Sequence, residues 1–125
     1  NVDSLMVMLN KIQEQQLFQD DDILLVGDYN SYTYEQPLQT IIQAGYEDVL
    51  MHYAPEGYSY VYYSEAGYLD RVFASPSMRA QVTQVQPYHL NADYFYSRGF
   101  KRGLDATIFR YADHDPILIH VKLGK

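Results

Sequence analysis

The chain has 125 residues, of which 47% are hydrophobic; this fits one ordinary domain and argues against a disordered protein. Its net charge of −7 argues against a protein that holds nucleic acid through a broad basic patch. An enzyme can still meet a phosphate through a bound cation. The absence of cysteine excludes disulfides, thiolate ligands and a cysteine nucleophile. Since no apolar run approaches the roughly 20 residues that span a bilayer, we expect no membrane partner.

The first third of the chain predicts a helix, a strand and a second helix. Residues 2–17 have the apolar spacing of a helix, through Val2, Leu5, Leu9 and Ile12. The run at 23–26 is apolar on both faces, which predicts a strand covered on both sides, as in layered α/β folds. Residues 35–45 form a short helical pattern, with Pro37 in the first turn and Gly45 at the end.

The remainder predicts mainly strands. Residues 58–63 and 68–75 have strand character, and the Ser-Glu-Ala-Gly between them predicts a hairpin. A short helix or turn at 75–80 and a strand that ends near Pro87 follow. We expect a long surface loop at 91–112 and a last strand after Pro116. No internal repeat or linker is evident, which predicts one structural unit.

Acidic residues, with an asparagine and a histidine, lie at the ends of three of the predicted strands. Gly-Asp-Tyr-Asn at 27–30 ends the first apolar run, and a turn alone accounts for Asp28 and Asn30. Asp70 alone fits an exposed strand residue, and Asp113 with His114 fits a turn into the last strand. Their ordered combination, each beside an apolar strand, indicates a site.

The order GDYN, then LDR, then DHDP resembles the endonuclease/exonuclease/phosphatase superfamily, which includes deoxyribonuclease I, the abasic-site endonucleases and the sphingomyelinases. The resemblance covers the chain from about residue 20 onward. The Tyr-rich segment and "HLNADY" are similar to the secreted bacterial nucleases, which implies a secreted or periplasmic location. The resemblance implies an α/β fold, the C-terminal half of a four-layer sandwich, with mixed, mainly antiparallel sheet and flanking helices.

The resemblance also implies a role for each candidate residue in phosphodiester hydrolysis. Asp28 would position or activate the water nucleophile, and Asn30 would donate an amide hydrogen to a phosphate oxygen. His114 would contact the scissile phosphate, and Asp70 would accept a hydrogen bond from it. Asp113 would be a metal or metal-water ligand. Family members differ in which residue is the base, so that assignment stays open.

Two substitutions and one missing residue depart from the family pattern. Arg71 stands where the family has His or Tyr, and Ala112 replaces a Ser. The family's metal-binding Glu has no counterpart, since Glu14 on a helix is the sole Glu before Asp28. We therefore expect a Mg²⁺ site, or one for Mn²⁺ or Ca²⁺, whose main carboxylate lies in an absent N-terminal half. The expected partners are that half, a nucleic acid or other phosphodiester, and a second copy through an exposed sheet face. The 125-residue chain alone should be inactive.

Several alternatives stay open. The chain could belong to a phosphomonoesterase or a lipid phosphodiesterase of the same superfamily, or be a non-catalytic binding module. Alternating Tyr58, Tyr60 and Tyr62 are more typical of a half-buried sheet face than of a base-stacking row. A basic cluster on the predicted loop is either solvated or contacts a nucleic-acid backbone (Arg98, Lys101 and Arg102). The other histidines have no zinc-site spacing (His52, His89 and His120).

Overall fold

The computed structural model describes residues 2–14, 20–93 and 111–123, with the backbone alone at residue 13. The helices are α1 (Val2–Glu14), α2 (Gln36–Gln43), α3 (Val49–Tyr53) and α4 (Pro76–Arg79). The strands are β1 (Leu24–Asp28), β2 (Glu47–Asp48), β3 (Tyr60–Tyr62), β4 (Glu65–Gly67), β5 (Asp70–Ala74), β6 (Val82–Pro87) and β7 (Ile117–Val121). None of the described helices is long and apolar enough to cross a membrane.

Antiparallel pairing joins these strands into three small sheets within the described part of the chain. The largest has the order β1-β5-β2, and the other two pair β3 with β4 and β6 with β7. In the largest sheet, Leu24 faces Ala74 and Asp28 faces Asp70. The register therefore places the end of β1 beside the start of β5.

The strand β5 stands between two hydrophobic clusters. Val72 belongs to a cluster with α3 and β6, whereas the next residue, Phe73, belongs to one with α1 and α2. Successive side chains of a strand point to opposite faces, so helices and strands cover β5 on both sides. The same coverage predicted for β1 holds at Leu24 and Leu25 but not at Val26, which is 57% exposed.

Most predicted helices and strands are present with shorter bounds, whereas the first strand, predicted at 23–26, is observed at Leu24–Asp28. The first helix is observed to Glu14, and residues 15–17 lie outside the described part. In the second, Glu35 is the N-cap and Gly45 follows in the left-handed region at φ 96°. The elements β2 and α3 were missed, because two and five residues are too few to show a period.

The predicted hairpin between 58–63 and 68–75 is wrong. The chain turns earlier, at Tyr63 and Ser64 with φ of 47° and 67°, so that Glu65–Gly67 is a strand paired with β3. The following strand, β5, pairs with β1 and β2 instead. Its residues 71–74 are all buried, which a two-stranded hairpin does not provide.

The predicted surface loop at 91–112 is described at its two ends. Residues 94–110, which include Arg98, Lys101 and Arg102, lie outside the described residues. At the start of the loop, Asn91 and Ala92 are buried rather than on the surface. The hydrogen bonds of these two residues are described with the candidate site.

Candidate active site

Two carboxylates meet where β1 ends and β5 begins. Asp28 is the last residue of β1 and Asp70 is the first of β5, and the two are directly opposite in the antiparallel register. Side chains in such positions have Cβ atoms about 5 Å apart, where like charges repel. Each carboxylate must therefore have its own partners, and each does.

Asp28 holds the turn that follows it. Its Oδ1 accepts a hydrogen bond from the backbone N–H of Asn30 at 2.8 Å, and its Oδ2 accepts from the Asn30 carboxamide at 3.1 Å. Asn30 has φ of 48°, a left-handed conformation that asparagine tolerates better than most residues. The carboxamide is exposed, and its second amide hydrogen is available for another acceptor.

Asp70 binds a histidine that is 44 positions later in the chain. Its Oδ2 accepts from Nδ1 of His114 at 2.8 Å and also from the hydroxyl of Ser59. An ionised carboxylate at Nδ1 fixes the proton on that nitrogen and leaves Nε2 on the other side of the ring. The His114 side chain is 23% exposed, so the imidazole is oriented by the protein while still reachable from solvent.

Tyr60 packs beside this pair. An isolated bridge joins the backbones of Tyr60 and His114, and their rings are 4.6 Å apart. Burial raises the pKa of the Tyr60 phenol, and the negative charges of Asp113 and, to a smaller extent, Asp28 raise it further.

Asp113 is exposed beside His114. Its expected role as a metal ligand requires other ligands close to it. Among the described residues, no three histidine or acidic side chains are placed to hold a metal ion. Both Asp28 oxygens already accept hydrogen bonds from Asn30. Divalent Mg²⁺ and Ca²⁺ are bound by several oxygen ligands, so these residues alone do not fit a cation site.

A second histidine–carboxylate pair was missed by the sequence reasoning. Asp115 is 3% exposed, and its Oδ2 lies 2.8 Å from Nδ1 of His89. Its Oδ1 accepts from three consecutive backbone N–H groups, those of Leu90, Asn91 and Ala92. Burial alone would raise the pKa of Asp115, but these hydrogen bonds together hold it below its ordinary value. No local pattern signals a contact across 26 positions.

Buried Asn91 connects this second pair to His114. Its carboxamide donates to the carbonyl of His114 at 2.7 Å and accepts from the N–H of Tyr111 at 3.2 Å. The backbone of His114 is held by Asn91, and its ring is held by Asp70 and Tyr60. The five sequence-predicted residues thus stand on three segments that the strand register and the bond between Asp70 and His114 bring together: Asp28, Asn30, Asp70, Asp113 and His114.

No protein-family model matches the sequence, and no curated protein matches it. Solved structures do match. One is a 3′ phosphatase, NExo, from Neisseria bound to product DNA hairpin, at a TM-score of 0.64 and 17% identity. Another is the 3′–5′ exonuclease NExo from Neisseria meningitidis, at 0.66 and 18%.

Each match covers 95% of this chain and 52% of the solved chain, so this chain spans about half the length of the structures it matches. Identity this low shows the fold alone. The α/β fold that the resemblance implied is confirmed: the described part of the chain folds like the deoxyribonuclease I-like structures that it matches.

Proposed function

We propose that this chain is part of a hydrolase that cleaves phosphate esters of nucleic acids. The observation that carries the proposal is the hydrogen bond between Asp70 and His114, at the strand edge where Asp28 faces Asp70. An imidazole tethered by a carboxylate is a common arrangement for moving a proton near neutral pH. The named activities of the matching structures, exonuclease and 3′ phosphatase, and the DNA bound in one of them support a nucleic-acid substrate.

The chemistry assigns a role to each residue. Attack on a phosphodiester adds negative charge to an already anionic centre, so groups that donate hydrogen bonds there lower the barrier. In its protonated form His114 donates from Nε2 to the scissile phosphate, while its Nδ1–H donates to Asp70, whose carboxylate stabilises this imidazolium. The second amide hydrogen of Asn30 contacts a phosphate oxygen without charge repulsion. Asp28 orients the attacking water.

The proposal includes a divalent cation, Mg²⁺ with Mn²⁺ or Ca²⁺ as substitutes, to which Asp113 contributes. Its main carboxylate would come from outside the described residues, which hold no such set of ligands. We further propose that the chain supplies the C-terminal half of a larger domain and is inactive without the rest. The 52% coverage of the matching structures supports this division.

A phosphomonoesterase is the second candidate, because one matching structure is named a 3′ phosphatase. The candidate residues would serve either ester, since they act at the phosphorus centre and not at the leaving group. Substrates that differ in one feature separate the two: an oligonucleotide with a 3′-phosphate releases inorganic phosphate to a monoesterase, and a 3′-hydroxyl oligonucleotide is shortened only by a nuclease.

The test measures hydrolysis of both oligonucleotides and of bis(p-nitrophenyl) phosphate, with Mg²⁺ and with a chelator. His114→Ala in the complete domain should lower kcat by about 10²- to 10⁴-fold, the usual contribution of one acid–base group. His120→Ala, at an exposed histidine on β7, is the matched control and should keep the rate. Full activity in His114→Ala would contradict the proposed site. Full activity of the 125-residue chain alone would contradict the proposed division of the domain.

A further inference from the structure

A row of aromatic rings leads away from the candidate site to the tip of the β3–β4 hairpin. The rings of His114 and Tyr60 are 4.6 Å apart, and Tyr60 and Tyr62 are nearly parallel at 6.2 Å. Tyr63 then meets Tyr62 edge to face at 4.4 Å. Exposure rises along the row, from 23% for the His114 side chain to 57% at Tyr62 and 85% at Tyr63.

The turn that carries Tyr63 is an unfavourable place for a tyrosine. Tyr63 and Ser64 have φ of 47° and 67°, and two-residue turns of this kind favour Asn-Gly, because bulky residues avoid the left-handed region. Burial cannot explain the choice, since Tyr63 is 85% exposed. A residue that is strained and yet not buried is a reason to look for a functional role.

Tyr58, one alternation earlier, does not belong to the exposed row. Its ring stacks on His89 at 4.4 Å, and its hydroxyl donates to Asp93 at 2.6 Å. This hydrogen bond, and then burial, raise the pKa of Tyr58 to about 12. Tyr58 is therefore packed, as is typical of alternating tyrosines on a sheet face, whereas Tyr62 is exposed.

We propose that the aromatic row of Tyr60, Tyr62 and Tyr63 stacks the bases of a single-stranded nucleic-acid segment whose phosphate lies at His114. This rests on the proposed function, because it takes His114 as the phosphate contact. Every base has a π-face, so stacking on tyrosine holds a strand without reading its sequence. A duplex keeps its bases stacked on one another and presents only its edges and backbone to such a row.

Charge also favours stacking over phosphate contacts at this hairpin. The chain has a net charge of −7, and residues 58–70 contain Glu65 and Asp70 but no lysine or arginine. A strand held by neutralised phosphates loses affinity steeply as salt rises, because binding releases condensed counterions. A strand held by this row should lose little affinity between about 50 and about 200 mM NaCl.

The test is fluorescence anisotropy of a labelled oligothymidylate of about ten nucleotides with the whole 125-residue chain. The double variant Tyr62→Ala/Tyr63→Ala should weaken binding by about tenfold or more, whereas Tyr62→Phe keeps the ring and the affinity. Tyr34→Ala is the matched control: Tyr34 is 90% exposed but lies on the loop before α2, and its loss should leave binding unchanged.

Tyr63→Gly separates recognition from stability. Glycine adopts a positive φ without strain, so this variant should melt at the same temperature as the wild type or higher while it binds the oligonucleotide less tightly. A purely structural tyrosine would change both measurements in the same direction.

Three results would overturn the proposal: no binding by the wild-type chain, unchanged affinity in the double variant, or equal affinity for a blunt duplex. These outcomes are independent of the hydrolysis test. If His114→Ala loses hydrolysis but binding does not depend on the tyrosines, the proposed function stands and the stacking row is contradicted. If binding depends on the tyrosines but the complete domain does not hydrolyse either substrate, the stacking row stands and the proposed function is contradicted.

Discussion

Asn30 can be read as a turn residue or as a phosphate contact, and its geometry serves both. Its left-handed φ of 48° and its bonds to Asp28 are what a tight turn requires. The same turn exposes the carboxamide at the strand end opposite Asp70. The two readings differ in what the side chain is needed for.

Replacing Asn30 by glycine separates these readings. Asn30→Gly keeps the positive φ without strain, so we expect the free energy of unfolding to change by less than about 1 kcal/mol. Hydrolysis by the complete domain should fall by about 10²- to 10³-fold, the usual effect of losing one donor to the developing charge. Chemical denaturation and steady-state rates measure the two effects. A turn-only role predicts an unchanged rate.

The Asp115 carboxylate should make the free energy of unfolding fall at acid pH. Because its pKa is lowered in the fold, its contribution is complete above the unfolded-state pKa of about 3.9 and is lost as pH falls through the lower folded value. Asp115→Asn should cost about 1.5–3 kcal/mol at neutral pH, since three backbone N–H groups lose a charged acceptor.

Chemical denaturation of both proteins at neutral pH and near pH 3, about one unit below the unfolded-state pKa of aspartate, measures the contribution of Asp115. The stability gap between wild type and Asp115→Asn should narrow in acid. Glu56→Gln, at an exposed carboxylate on the loop after α3, is the control for the general effect of charge. A gap that stays constant with pH would contradict the role given to the Asp115 carboxylate.

At the residue scale, the residue pattern predicted a contact within a local motif, and it missed one between distant segments. Asp28 and Asn30 are two positions apart and form a recognisable turn. The bond between Asp70 and His114 was expected through resemblance alone. The pair of His89 and Asp115 spans 26 positions, and neither residue has a neighbour that identifies the other as its partner.

At the scale of elements, strand pairing was harder to predict than strand location. The Gly in Ser-Glu-Ala-Gly drew the predicted turn toward residue 67, because glycine is the usual turn former. The observed turn uses Tyr63 and Ser64, which turn propensity disfavours. The strand β5 contains four successive buried residues, and its place between two clusters determines the pairing. Only the folded molecule contains that information.

Asp48 joins three elements and offers a test at this scale. Its Oδ1 accepts from the N–H of Met51 as the N-cap of α3, and its Oδ2 lies 3.5 Å from the buried guanidinium of Arg71 on β5. Arg71 in turn donates to Thr33, on the loop that follows Asn30. Burial, the larger influence on both groups, raises the pKa of Asp48 and lowers that of Arg71.

Removing the Asp48 carboxylate should cost more than replacing it by a carboxamide. Asp48→Ala removes the cap and leaves a buried cation without its partner, for an expected loss of about 3–5 kcal/mol. Asp48→Asn has one oxygen where Asp48 uses two, so it can keep the cap on Met51 but not the contact with Arg71, and the loss should be smaller by about 1 kcal/mol. Urea denaturation of the two variants gives the comparison. Equal losses in the two variants would contradict the role given to Asp48 as the N-cap of α3.

At the scale of the whole molecule, β5 connects the two hydrophobic clusters through consecutive residues. Phe73 is fully buried in one cluster and Val72 is fully buried in the other. Because both clusters depend on this strand, we expect them to unfold together.

The resemblance also led us to expect a homodimer through an exposed sheet face, and this stays a prediction. Val26, 57% exposed on β1, is an apolar residue at which a partner would pack.

Truncation of Phe73 tests this shared core. Phe73→Ala should lower the free energy of unfolding by about 3–5 kcal/mol, the usual cost of a cavity of that size. Val26→Ala, at the exposed residue in the same sheet, should change it by less than about 0.5 kcal/mol in the monomer. Circular dichroism and tyrosine fluorescence should follow one transition in each variant. Two separate transitions would contradict the shared core.

The central claim is that separate segments of the chain act on one phosphate, and a double-mutant cycle between Asp70 and His114 tests it most directly. Asp70 is expected to act through the His114 ring that it binds, so the two contributions to hydrolysis by the complete domain should not add. His114→Ala should lower kcat by about 10²- to 10⁴-fold, and adding Asp70→Ala should lower it no further. Losses that multiply, or an unchanged rate in both single variants, would contradict the claim.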